Sequence, residues 1–102
     1  MDWPEYIPMG RLRVPLENVP GESEVLRGND GMCEWSSPWP RITYSDEIAD
    51  DDYRDLTIAH EIVHGWLFQS GISNVLKDNM QEAICDAVAP FLIQLLEEIK
   101  DA

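Results

Sequence analysis

The spacing of apolar and polar residues divides the chain near Asp50. Before it, apolar residues alternate in short runs: Leu12, Val14 and Leu16 within Gly10 to Leu16, then the segments Met32 to Ser36 and Arg41 to Ser45. A period of two puts such side chains on one face of a strand, so three short strands are expected. Pro4, Pro8, Pro15, Pro20, Pro38 and Pro40, with Gly10, Gly21, Gly28 and Gly31, exclude a long helix from this half. The last two strands, separated by Ser37-Pro38-Trp39-Pro40, are placed to pair as a hairpin. Trp35, Trp39 and Tyr44 read as sheet-face or core aromatics.

After Asp50 the period lengthens to that of a helix. Asp50-Asp51-Asp52 sets negative charge at the positive end of a helix dipole, and Gly71 supplies a stop, so a helix is expected from there to Ser70. Leu56, Ala59, Val63 and Trp66-Leu67 give its apolar stripe, with Ile58 and Ile62 beside it. Ile72 to Asp78 is a connector. A second helix follows from about Asn79 to Ile99, its apolar face formed by Met80, Ile84, Ala87-Val88, Phe91-Leu92, Leu95-Leu96 and Ile99. Pro90 removes one amide donor and predicts a kink near Asp86. The fold class is therefore α+β: one domain, residues 1–102, with a small N-terminal antiparallel sheet packed on two helices.

Charge narrows the choice of partner. Acidic residues number 20 against seven Lys and Arg, a net charge of −13, which disfavours binding to a phosphate backbone. The same charge suits solubility, basic partners or cations held near the surface. No apolar run reaches the length of a membrane span, and the start Met1-Asp2-Trp3-Pro4-Glu5 lacks a basic and then apolar leader, so the expected location is cytoplasmic, with no membrane partner. Cys33 and Cys85 form no close pair; Cys85, among Ala83, Ile84, Ala87 and Val88, reads as a small core residue, and Cys33 lies outside any ligand spacing.

The chemistry is concentrated in His60-Glu61-Ile62-Val63-His64. Four residues advance a helix by about one turn, so both imidazoles leave one face about 6 Å apart and can share a tetrahedral ion at about 2.0–2.1 Å. Glu61 projects at an angle from that pair, outside the ligand set but near the water that a zinc ion would activate. The chain holds no third histidine. Glu82, near the start of an antiparallel second helix, is the best third ligand, with Asp78 in the connector as the fallback. Asp86 shares a helix face with Glu82 and is placed to accept the outer N–H of a ligating histidine.

With Gln81-Glu82-Ala83-Ile84-Cys85-Asp86, the His-Glu-Ile-Val-His segment resembles the gluzincin metallopeptidases of the thermolysin type, where Glu-x-x-x-Asp lies on a second, glutamate helix. At this length the chain looks most like minigluzincins and the compact metallopeptidase-like proteins of bacteriophages and prophages. It is also similar in pattern to the ImmA/IrrE group, whose Glu-x-x-Ala-x-x-Phe-Ala run is approximated by Glu82, Cys85, Val88 and Ala89. The likeness covers residues 41 to 96. It implies zinc as the cofactor, His60, His64 and Glu82 as its ligands, Glu61 as general base and Asp86 as a support for a ligating histidine. Larger gluzincins carry a downstream His or Tyr that steadies the oxyanion; Tyr44 and Tyr53 are the candidates to replace it.

Zinc-dependent hydrolysis of a peptide or protein substrate is the leading expectation, the substrate lying extended along an exposed sheet edge formed by Arg41 to Ser45. Two other functions compete with it. One is a non-catalytic binding module stapled by zinc, which has no use for Glu61; the other is an acidic inhibitor or DNA mimic aimed at a basic host protein, for which a full ligand set is superfluous.

Overall fold

The computed structural model describes residues 1–36 and 40–101. In chain order the elements are β1 (Tyr6–Met9), β2 (Leu12–Val19), a 3-10 turn (Glu24–Leu26), β3 (Gly31–Glu34), β4 (Arg41–Ser45), α1 (Asp51–Ser70), a second 3-10 turn (Ile72–Val75) and α2 (Asp78–Asp101). The α+β architecture is as expected: one four-stranded sheet and two helices. The fourth strand, β1, was concealed by Pro4 and Pro8, which flank and interrupt a run of only four residues. Trp39 and most of the expected hairpin connection lie outside the described residues.

The sheet is mixed, which corrects the expectation of an antiparallel one. Its order is β1-β2-β4-β3. The first half of β2 pairs antiparallel with β1 (Ile7 opposite Val14), and its second half pairs parallel with β4 (Leu16 opposite Ile42, Val19 opposite Ser45). The handover falls at Pro15, whose missing N–H suits a point where one ladder ends and another begins. After Val19 the chain passes through the 3-10 turn and β3 before β4 returns alongside β2, so β4 runs parallel to it. A parallel pair across such an excursion is a tertiary choice, invisible in local alternation. It also moves β4 inside the sheet and leaves β3 as the edge, so Arg41 to Ser45 is not the exposed edge.

The limits of α1 follow local chemistry. The Asp50 carboxylate accepts hydrogen bonds from the N–H groups of Asp52 and Tyr53, at 2.8 and 3.1 Å, and Gly71 ends the helix at φ 81°, where a Cβ would be strained. Ile58 and Ile62 pack on Ile7, Met9, Val14 and Ile42 of the sheet, and these six form one buried cluster of the core. The stripe lies slightly round from its expected place: Leu56 and Trp66 are each 39% exposed, while Asp55 is buried and receives the Trp3 indole N–H at 2.8 Å. At Gly65 a Cβ would stand 2.6 Å from the Met9 side chain, so glycine lets α1 lie close against β1.

Helix α2 departs most from the pattern. It continues helical through Pro90 and turns Gln81, Cys85 and Ala89 inward, leaving Met80, Phe91, Leu95 and Ile99 between 49 and 70% exposed. From Val88 to Leu96 it is apolar nearly all round, so periodicity could not choose which side packs. The packed residues are four apart and two of them are small, which suits a close approach to α1.

Candidate metal centre

His60, Glu61 and His64 lie midway along α1 and project into a cleft of about 940 Å³ between that helix, β3 and the start of α2. Glu82 and Asp86 face them from α2. The Glu82 carboxylate spans both imidazoles: Oε2 is 3.0 Å from His60 Nε2, and Oε1 is 2.8 Å from His64 Nε2. Asp86 Oδ1 is 2.9 Å from the other ring nitrogen of His60, Nδ1. The five residues singled out from the sequence are therefore in one place, with Asp86 on the ring nitrogen away from Glu82.

The donor set suits a divalent cation. A tetrahedral ion with bonds near 2.0 Å would separate its ligand atoms by about 3.3 Å. Each imidazole meets a different oxygen of Glu82 at 2.8–3.0 Å, and the sets that bring one donor atom each within 4.8 Å are His60, Glu82 and Asp86, and His60, His64 and Cys85, so the rings and the Glu82 carboxylate would move to share one ion. The two imidazoles stand edge to face, with centroids 4.9 Å apart. Phe68, one turn on, stacks on His64 at 6.4 Å and on Trp35 at 5.9 Å, an aromatic column that limits how far the His64 ring can turn.

Glu61 occupies a different environment from Glu82. Its carboxyl rises from 4.5 to about 7, first because burial penalises the charged form, with the Glu82 charge adding to the rise; His64 and a hydrogen bond from the Cys33 backbone N–H act in the other direction. That amide is available because of the strand register. The Asp30 carbonyl accepts from Ser45 N–H at 2.8 Å, so the backbone groups of Asp30, Met32 and Glu34 face β4. Those of Gly31 and Cys33 face outward, toward the cleft. Gly31 makes this proximity tolerable: a Cβ there would meet Thr57 Cγ2 at 2.7 Å and Glu61 Cγ at 3.2 Å. Neither role is visible in the sequence, since a backbone donor and a close approach leave no local pattern.

The remaining candidates separate cleanly. Tyr53 and Asp78 line the cleft, whereas Tyr44 packs against the core. The Tyr53 hydroxyl donates to Asp30 Oδ2 at 2.6 Å, which ties the start of β3 to α1 and raises the phenol pKa. Among the described residues Asp78 makes no hydrogen bond or ion pair with either imidazole, in contrast to Glu82. Among those residues the cleft holds Asp30, Glu61, Asp78, Glu82 and Asp86 and is lined by no Lys or Arg. No helix is long and apolar enough to cross a membrane. No protein-family model, curated protein or solved structure matches the chain, so its functional reading rests on the residues themselves.

Proposed function

We propose that this chain is a zinc-dependent metallopeptidase-like protein that hydrolyses peptide bonds, with His60, His64 and Glu82 holding the metal and Glu61 as general base. The observation that carries the reading is the single Glu82 carboxylate spanning both Nε2 atoms while Asp86 engages Nδ1 of His60. Asp86 thereby fixes the orientation of that ring, the task of a carboxylate behind a ligating histidine. Zinc would supply Lewis acidity and a lowered pKa for the attacking water.

The chain's own residues account for the proton movements. Glu61 takes a proton from the attacking water and returns it to the departing amine. Without an ion beside it burial holds the Glu61 carboxyl at about 7, and a nearby cation would lower it toward the ionised form that a base needs. The Cys33 N–H steadies the carboxylate that results. An extended peptide would lie along β3, meeting the outward N–H and C=O of Gly31 and the C=O of Cys33. The acidic cleft favours substrates carrying basic side chains over acidic ones.

Removing the base without removing the ligands tests this reading. Glu61→Gln should retain stoichiometric zinc and lose cleavage of a peptide library cut by the wild type. Cleavage that survives the substitution would refute the assigned role of Glu61. A wild type that binds zinc but cuts nothing would return the chain to a zinc-stapled binding module.

A further inference from the structure

The proposed reaction leaves one nearby side chain without a task. Cys85 follows Glu82 by three residues on α2 and precedes Asp86, and it is a free thiol that is 0% exposed. Its sulfur, a ring nitrogen of His60 and a ring nitrogen of His64 all lie within 4.8 Å of one another, while Glu82 belongs to a separate set with His60 and Asp86, so uniting the four donors on one ion moves the Glu82 carboxylate as well. Around a tetrahedral ion, with about 2.3 Å to sulfur and 2.0 Å to nitrogen, the sulfur and nitrogen atoms would be about 3.5 Å apart. The difference is at most about 1.3 Å, within reach of side-chain rotation. The helix spacing allows it too, since residues three apart share a face and Glu82 already meets both rings.

We infer that Cys85 is a fourth protein donor to the ion proposed for His60, His64 and Glu82, so that the resting centre is a closed set of two imidazoles, one carboxylate and one thiolate. The inference rests on the proposed metal site and adds to it. On binding, the S–H bond breaks, its proton passes to buffer, and a sulfur–metal bond forms in its place. A closed set of four protein ligands is the mark of a structural zinc site, whereas hydrolysis needs an open position. Cys85 would then be an internal block that water must displace. A thiolate would also turn the site toward zinc and cobalt and away from magnesium and calcium.

Titration of the reduced, metal-free full chain with cobalt(II) tests this by optical spectroscopy. The expected spectrum has intense visible bands of a four-coordinate ion and a near-ultraviolet sulfur-to-cobalt charge-transfer band, both abolished by added zinc. Cys33→Ser should leave both, because Cys33 is outside the cluster. Cys85→Ser should lose the charge-transfer band and keep the visible bands. Visible bands with no charge-transfer band in the wild type would overturn the inference and leave the three-ligand site standing. A charge-transfer band that survives Cys85→Ser, or vanishes in Cys33→Ser, would assign the thiolate to Cys33 and overturn it equally. A wild type that binds no cobalt would overturn the metal site itself. Should Cys85→Ser fail to fold, the wild-type and Cys33→Ser spectra still decide the matter.

Discussion

Glu61→Gln should change how stability depends on pH in the metal-free protein, and the size of the change can be worked from the site. Burial raises the Glu61 carboxyl from 4.5 to about 7 in the folded state. Below 4.5 both folded and unfolded chains keep the proton, and the group adds no penalty. Between 4.5 and 7 the unfolded chain releases the proton while the folded chain holds it, so wild-type stability falls as pH rises. Above 7 both forms are ionised and the penalty is constant. At about 1.4 kcal/mol per pH unit the full shift amounts to about 3 kcal/mol. Glutamine carries no such penalty, and its side-chain carbonyl can still accept from Cys33. Urea unfolding of chelator-treated wild type and Glu61→Gln, between about pH 4 and 8, should therefore show the variant gaining about 3 kcal/mol relative to wild type, nearly all of it between pH 4.5 and 7. Stoichiometric zinc should shrink the gain, because a nearby cation favours the ionised carboxylate. A difference that stays flat across this range would refute the assignment of Glu61 to a desolvated site.

Glu82→Ala should weaken zinc binding far more than Asp78→Ala, since only Glu82 meets the two imidazoles; equal affinities by calorimetry would show that the third ligand is misassigned. Asp86→Asn should cost about 10–100-fold in zinc affinity or activity, the usual loss when the carboxylate behind a ligating histidine is neutralised, and wild-type affinity would leave Asp86 as a surface acid. Gly31→Ala should destabilise by about 1–3 kcal/mol through overpacking against Thr57 Cγ2, a loss that Thr57→Ser should partly reverse by removing that methyl group.

What the sequence disclosed was local, and what it hid was tertiary. Asp50 and Gly71 mark the ends of α1 because capping satisfies backbone groups within a few residues. His60 and His64 could be assigned to one face because one turn of helix spans them, and Glu82 and Asp86 share a face for the same reason. Pairing β2 with β4 across the excursion through β3 has no such local signature. The rotation of α2 had none either, because Leu92 and Phe91 are equally apolar and only Leu92 packs on the core. Asp55 shows the same limit from the polar side: nothing near it in sequence announces the Trp3 indole N–H that donates to its buried carboxylate.

The orientation of α2 and the composition of the cleft have a common physical basis. Turning the Phe91, Leu95 and Ile99 face inward would bury more apolar surface, and each such side chain is worth about 1.5–3 kcal/mol when fully buried. The helix instead presents Gln81, Cys85 and Ala89 to α1, and that rotation carries Glu82 and Asp86 to His60 and His64. The arrangement gathers five carboxyl groups and two imidazoles in one cleft lined, among the described residues, by no Lys or Arg, on a chain already at −13. Burial first, and the Glu82 charge after it, raise the Glu61 carboxyl in this partly desolvated cleft. Such a cluster is favourable when a cation resides in it, for then each carboxylate gains a partner and the imidazoles gain a use for their lone pairs. The exposed apolar face of α2 and the concentration of negative charge opposite two histidines are thus the two features that the proposed ion site accounts for together.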